Sequence, residues 1–134
     1  MLKKIRIESK LSNLRIVEKS VDEITSEVGI SNNYYGKILI SVLEAVNNAI
    51  IHGNNSSAEK YVDITIEFRK EKLKIIVKDE GQGFAPDKVP DPTVPENLEE
   101  VNGRGVFLMS RLADEIKYSK KGNAVTMIFN NVIS

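Results

Sequence analysis

The chain has 134 residues, of which 41% are hydrophobic and 28% charged, so it can bury one sizeable core but not two. Nineteen basic residues balance nineteen acidic ones, which argues against binding to nucleic acid or to an anionic membrane. The lack of cysteine excludes disulfides, thiolate metal sites and cysteine nucleophiles. No signal peptide and no run of roughly 20 apolar residues occurs, so we expect one cytoplasmic domain over residues 1–134.

The first half of the chain predicts a strand and two helices. Residues 2–8 alternate between polar and apolar side chains, as expected of a strand at a sheet edge. Across residues 12–28 the apolar positions step by three and four, which predicts an amphipathic helix ended by the following glycine. A second helix, capped at Ser31 or Asn32, is predicted to end at Gly53.

The second half predicts two hairpins separated by a long loop. Residues 62–68 and 73–77 alternate on either side of a charged turn, which predicts the first hairpin. Residues 84 to about 100 contain all four prolines and little periodicity, as is typical of a functional or disordered loop. A short helix and two strands complete the chain, at about 105–113, 115–119 and 124–132. This order predicts a two-layer α/β (α+β) sandwich with its helices on one face of a mixed, mostly antiparallel sheet.

The second predicted helix carries an acid, an amide and an imidazole at every fourth position. Glu44, Asn48 and His52 would therefore share one helical face, within an otherwise almost wholly apolar segment. Polar groups beside so much apolar surface are costly unless they have partners. We therefore expect a ligand at this stripe, and a divalent ion with a phosphate chain would provide the partners.

Two later clusters combine glycines with polar residues. Residues 79–83 have the sequence Asp-Glu-Gly-Gln-Gly after a predicted strand, where the glycines permit a tight turn and Asp79 can accept a hydrogen bond from an amino group. Residues 103–106 have the sequence Gly-Arg-Gly-Val at a predicted helix start, where free backbone N–H groups attract phosphate oxygens. Taken alone, the first cluster is more simply an Asp-capped turn and the second a flexible helix start.

Together, in this order, the three clusters resemble the N, G1 and G2 boxes of the GHKL histidine-kinase-like ATPase superfamily, which contains gyrase, sensor histidine kinases and mismatch-repair proteins. Within it, the run Glu-Ala-Val-Asn-Asn-Ala-Ile-Ile-His-Gly over 44–53 and the segment 109–115 are similar to the anti-sigma factor serine-protein kinases. The resemblance extends over about 5–128. It implies a Bergerat-type histidine-kinase-like ATP-binding fold, ATP and Mg²⁺ as ligands, and a nucleotide lid at about 84–102.

The resemblance also implies roles for individual residues. Asn48 would coordinate Mg²⁺ through its amide oxygen, Glu44 would orient or deprotonate the attacking hydroxyl or water, and Asp79 would accept a hydrogen bond from the adenine amino group. His52 would be a hydrogen-bonding element, not a phosphoacceptor. Arg104 either reaches the γ-phosphate or faces solvent. The nucleotide-binding set implied in this way is Asn48, His52, Asp79, Gly81, Gly83, Asn102, Gly103, Arg104, Gly105, Val106 and Thr126.

The implied activity is transfer of the ATP γ-phosphoryl group to a serine or threonine of an anti-anti-sigma factor, with sequestration of a sigma factor as the competing complex. A homodimer through the sheet edge and first helix would also be typical of the family. One alternative is a nucleotide-binding regulatory module that sequesters a protein partner without phosphoryl transfer. Another is a free-standing ATPase that activates water.

Two other kinase classes are excluded by pattern, since neither GxxxxGK nor a His-Arg-Asp catalytic loop occurs. Histidine autophosphorylation is not expected either, because it would need a separate helical dimerisation segment carrying a histidine. His52 is the single histidine in the sequence.

Overall fold

The computed structural model describes residues 1–81 and 112–133, and their elements form two layers. One layer consists of helices α1 (Leu14–Val28) and α2 (Asn32–Asn48). A 3₁₀ turn over Leu11–Asn13 precedes α1, and a π-helical turn over Ala49–Gly53 continues α2. The other layer is a sheet of five strands, β1 (Leu2–Glu8), β2 (Tyr61–Arg69), β3 (Lys72–Lys78), β4 (Glu115–Tyr118) and β5 (Ala124–Phe129).

The strands follow the order β1-β2-β3-β5-β4, which confirms that the first strand lies at an edge. The helices packed on this sheet confirm the predicted two-layer sandwich. Every neighbouring pair in the described sheet is antiparallel, whereas the sequence predicted a mixed, mostly antiparallel sheet. For β2 and β3, antiparallel pairing follows from their direct connection by a tight turn. Lys70 and Glu71 both adopt positive φ angles, 53° and 61°, as a two-residue hairpin turn of the primed type requires.

The two helices differ in how well their ends match the sequence-based prediction. Helix α1 ends as predicted at Gly29, which has φ 78° and donates its N–H to Thr25 O. The second helix was predicted to continue to Gly53, yet its α-helical hydrogen bonding ends at Asn48. In the turn that follows, the N–H of Asn54 donates to Ala49 O, five residues back and 2.8 Å away. This wider turn changes where the residues after His52 point.

The core lies between the helices and one face of the sheet. Alternate strand residues such as Ile64, Ile75 and Met127 are fully buried there against α1 and α2. Residues Thr65, Ile76 and Thr126 are paired across β2, β3 and β5 and alternate with those core positions. They therefore occupy the opposite face of the sheet, where they are partly exposed.

Two predicted elements fall outside the described residues. These are the lid at about 84–102 and nearly all of the short helix at about 105–113. Within the part of the chain that the structure describes, neither helix is long and apolar enough to cross a membrane.

Candidate functional site

The end of the second helix meets the turn that follows β3. A β-carbon added at Gly53 would lie 2.3 Å from both Cγ and Oδ2 of Asp79. A β-carbon added at Gly81 would lie 2.0 Å from the carbonyl oxygen of Gly53. No side chain fits at either position, so glycine is required at both for close approach. Two of the three motifs identified in the sequence are therefore in direct contact.

Asp79 has a fixed orientation at this junction. Its Oδ1 accepts a hydrogen bond of 2.8 Å from the Gly81 N–H. Its own N–H donates to Asn123 O at 2.9 Å, and its carbonyl accepts from Asn123 Nδ2 at 3.3 Å. Burial raises the pKa of the half-buried Asp79 carboxyl, an effect opposed by the Gly81 hydrogen bond and by Lys121 and Lys60. The carboxylate is thus a pre-oriented hydrogen-bond acceptor.

Asn48 lies about one helical turn before Gly53, and its side-chain amide oxygen, Oδ1, is buried without a hydrogen-bond partner in the described part of the chain. Leaving such an acceptor unsatisfied costs about 1–3 kcal/mol, so it calls for a partner. An amide oxygen is a suitable ligand for a hard cation, and the donor chemistry of Asn48 therefore fits Mg²⁺.

Glu44 precedes Asn48 by one turn on α2, and both are half-buried. The described ranges contain no group of three or more His, Asp or Glu residues that could hold a metal ion. An ion at Asn48 would therefore need oxygens from water and from a ligand to complete its shell. Mg²⁺ commonly binds in this way, through one or two protein oxygens together with substrate phosphates.

Two predicted site residues have surroundings that differ from those of Glu44, Asn48 and Asp79. His52 belongs to the π-helical turn and its side chain is exposed, unlike the half-buried Glu44 and Asn48. Thr126 occupies the sheet face opposite the helices, whereas Asp79 contacts Gly53 on the helix side. Thr126 therefore does not share the sheet face of the Gly53–Asp79 contact, and its role near the adenine stays a prediction. Alternation along β5 turns it away, because its neighbours Val125 and Met127 are core residues.

Two further residues, Gly53 and Asn123, shape this site through tertiary contacts. Gly53 was interpreted only as the end of a helix, and its contact with Asp79 depends on tertiary structure. Asn123, between the two predicted C-terminal strands, binds both backbone polar groups of Asp79. The remaining predicted residues lie outside the described residues, and their roles stay predictions: Gly83, Asn102, Gly103, Arg104, Gly105 and Val106.

Comparison with known families gives a match over most of the chain. The family described as Histidine kinase-like ATPase domain matches residues 7–129. The chain belongs to this family. The resemblance to the histidine-kinase-like ATPases inferred from the three motifs is therefore confirmed.

Relatives of this chain carry the names of a serine-protein kinase and of an anti-sigma factor. Serine-protein kinase RsbW of Oceanobacillus iheyensis is 22% identical over 130 residues, covering 92% of this chain and 82% of the relative. Serine-protein kinase RsbW of Bacillus velezensis is 28% identical over 132 residues, covering 92% and 81%. Anti-sigma F factor of Shouchella clausii is 37% identical over 78 residues, covering 57% and 53%.

A solved structure supports the fold independently. The crystal structure of the RsbU and RsbW domains of a Mycobacterium tuberculosis protein matches with a TM-score of 0.71 at 15% identity. The match covers 97% of this chain and 32% of that one. The likeness therefore concerns one part of a longer protein and shows a shared fold.

Proposed function

We propose that this chain is an ATP-dependent serine/threonine-protein kinase of a bacterial partner-switching system, an anti-sigma factor that also phosphorylates an anti-anti-sigma factor. The observation that carries the proposal is the contact between Gly53, which ends the segment bearing Glu44 and Asn48, and the carboxylate of Asp79. The names of the relatives, serine-protein kinase RsbW and anti-sigma F factor, support the same activity. The proposed setting is the cytoplasm.

Asp79 is the residue proposed to recognise the adenine base. Its carboxylate, held by the Gly81 N–H, would accept a hydrogen bond from the adenine amino group. Guanine presents a carbonyl oxygen at the equivalent place, which a carboxylate repels. Gly81 and Gly83 would lie beneath the base, and the need for glycine at 81 on steric grounds supports a tight turn there.

Asn48 is the proposed magnesium ligand, because its buried Oδ1 lacks a hydrogen-bond partner within 1–81 and 112–133. When bound, Mg²⁺ would neutralise charge on the phosphate chain. Glu44 is proposed to align a serine or threonine hydroxyl of the partner protein and to accept its proton, as that oxygen bonds to the γ-phosphorus and ADP leaves. Backbone N–H groups at 102–106 are proposed to bind phosphate oxygens, with 84–102 as the lid.

A homodimer through the β1 edge and α1 is part of the proposal. Strand β1 is at an edge of the described sheet. Large apolar side chains are exposed nearby, with Leu2 56%, Leu11 50% and Ile16 49% exposed. An unpaired strand edge beside exposed apolar residues favours association with a second copy.

The test is a phosphorylation assay with ATP, Mg²⁺ and an anti-anti-sigma factor that has a serine acceptor. We expect a phosphoserine detectable by mass spectrometry, formed by the wild type and not by Asn48→Ala. Binding of ATP and of the partner protein without any phosphoserine would instead favour the regulatory module. Release of phosphate at the same rate with and without the partner would indicate the free-standing ATPase.

A further inference from the structure

The residue after Gly53 is an asparagine buried without any exposure. Asn54 is 0% exposed, and the other buried polar side chains in the described chain are the hydroxyl residues Ser9, Ser20, Thr25 and Ser41. Thr25 and Ser41 satisfy their hydroxyls within their own helices, through Val21 O and Lys37 O. The primary amide of Asn54 has more polar atoms to satisfy than any of these, so its burial needs several partners.

The Asn54 side chain joins three separate segments of the chain. Its Nδ2 donates to Ser9 Oγ at 2.8 Å, just after β1, and to the carbonyl of Tyr61 at 2.9 Å, at the start of β2. Its Oδ1 accepts from the N–H of Glu80 at 2.8 Å, in the turn after β3. Both amide hydrogens and the oxygen are therefore used. A fully satisfied buried network of this kind is rigid and specific in geometry.

The bond to Glu80 acts directly on Asp79. The N–H of Glu80 and the carbonyl of Asp79 belong to the same peptide group, which is planar. Asn54 Oδ1 holds that N–H, and Asn123 Nδ2 holds that carbonyl at 3.3 Å from the β5 side. The Glu80 side chain also accepts from the Tyr61 N–H, which ties the turn to the start of β2 a second time.

The π-helical turn brings Asn54 into this position. The backbone N–H of Asn54 donates to Ala49 O, which closes the wide turn, while Gly53 contacts the Asp79 carboxylate. Two consecutive residues thus act on Asp79 in different ways, Gly53 by contact with its side chain and Asn54 by fixing the peptide that follows it.

We infer that Asn54 is a positioning residue that fixes the Asp79–Glu80 peptide, and thereby sets the preference of the nucleotide site for adenine over guanine. This inference rests on the proposed function of Asp79. If the hydrogen bond from the Glu80 N–H to Asn54 Oδ1 is lost, the Asp79 carboxylate is displaced and loses its hydrogen bond to the adenine amino group. ATP affinity then falls much more than GTP affinity. A merely structural role would lower both affinities alike.

The experiment compares the ratio of ATP to GTP affinity in the full-length wild type, Asn54→Ser and Ser9→Ala, by calorimetric titration with Mg²⁺. Serine is too short to span the 2.8 Å bond to Glu80 N, and we expect the ratio to fall roughly tenfold, as for loss of about one hydrogen bond. Ser9→Ala is the matched control, because it removes a partner of the same amide but leaves the Glu80 bond. It should lower the thermal midpoint and keep the ratio.

A measurement on the nucleotide-free protein tests the role of Asn54 independently of the proposed function. Amide hydrogen exchange of Glu80, measured by NMR, should be faster in Asn54→Ser and unchanged in Ser9→Ala. A wild type that does not prefer ATP over GTP would overturn the proposed function and this inference with it. A wild-type preference that survives in Asn54→Ser would overturn the inference alone.

A second variant covers the case in which Asn54→Ser does not fold. Asn123→Ala removes the bond on the other side of the same peptide, at a half-buried position in the β4–β5 turn. The preference for ATP should fall in the same direction. An unchanged preference in Asn123→Ala would contradict the idea that the orientation of this peptide determines base selection.

Discussion

The backbone of Gly53 packs directly against the carboxylate of Asp79, with space for no side-chain atom between them. On one side of this contact is the helical segment that carries Glu44, Asn48 and His52, four residues apart. On the other side is the turn that follows the central strand β3. It makes the helix end and the turn a single unit, so that a change in one is transmitted to the other.

Gly53→Ala should therefore disrupt nucleotide binding. The added methyl group would lie 2.3 Å from Asp79 Cγ, so the carboxylate or the π-helical turn must move. We expect at least a tenfold loss of ATP affinity by calorimetry, together with a destabilisation of about 1–3 kcal/mol from overpacking. Gly36→Ala is the matched control, because nothing lies within 4 Å of a β-carbon there. Because Gly36 lies inside α2, the change to alanine should raise stability by about 0.5–1 kcal/mol and leave ATP affinity unchanged.

Asn48→Ala should abolish the Mg²⁺ dependence of ATP binding without lowering the stability of the nucleotide-free protein. The removed Oδ1 is buried and accepts no hydrogen bond from the described residues, so its loss should not weaken the fold. The measurements are titrations with and without Mg²⁺ and a thermal melt of the free protein. A large fall in the midpoint, with Mg²⁺ dependence retained, would show that Asn48 has a structural role instead.

Asp79→Asn should weaken ATP binding yet stabilise the free protein at neutral pH. Burial raises the folded-state pKa of Asp79 above its ordinary value of 3.8, so the folded protein holds this proton more tightly than the unfolded chain does. The carboxyl group therefore lowers stability increasingly as the pH rises through the folded pKa. Asparagine removes that cost and keeps an oxygen for the Gly81 N–H.

The check on Asp79→Asn is urea unfolding at pH 7 and at pH 4, with ATP titration at pH 7. The gain in unfolding free energy should be larger at pH 7 and shrink as the pH falls toward 3.8. ATP affinity should fall by roughly 10–100-fold, the usual worth of a hydrogen bond to a charged group. A variant less stable than the wild type at pH 7 would contradict this account of the carboxylate.

Glu44→Gln should spare ATP binding and slow phosphoryl transfer. Glutamine keeps the size of the side chain but cannot accept the hydroxyl proton, and loss of a general base typically costs about 10²–10⁴-fold. Single-turnover transfer to the anti-anti-sigma factor measures the effect, and Glu18→Gln, an exposed change on α1, is the control. Full activity in Glu44→Gln would remove Glu44 from the reaction.

Much of the fold could be predicted from alternation and helical spacing. Residues 2–8 and the hairpin of β2 and β3 follow from side-chain period alone, because one sheet face is buried and the other is not. Alternation also contained the signal that Thr126 faces away from the helices, since Val125 and Met127 flank it. The resemblance to a family threonine, by contrast, carries no information about the face.

The finer parts of the site could not be predicted because they depend on tertiary contacts. Nothing in the sequence distinguishes Asn54 from Asn55, yet the former is fully buried and the latter exposed. The difference arises from partners 45 and 26 residues away, Ser9 and Glu80. The π-helical turn was missed for the same reason, because helical periodicity alone cannot reveal one wider turn.

The π-helical turn behaves as an insertion of one residue into an otherwise regular helix. Removal of one residue between 49 and 53 would let α-helical bonding continue, and would improve the local hydrogen-bond geometry. It would also rotate Gly53 and Asn54 away from Asp79 and Glu80. The extra residue of the π-helical turn therefore interrupts regular helical hydrogen bonding, but it is needed to position Gly53 and Asn54. A single-codon deletion in this stretch would give a well-formed helix joined to a misplaced turn.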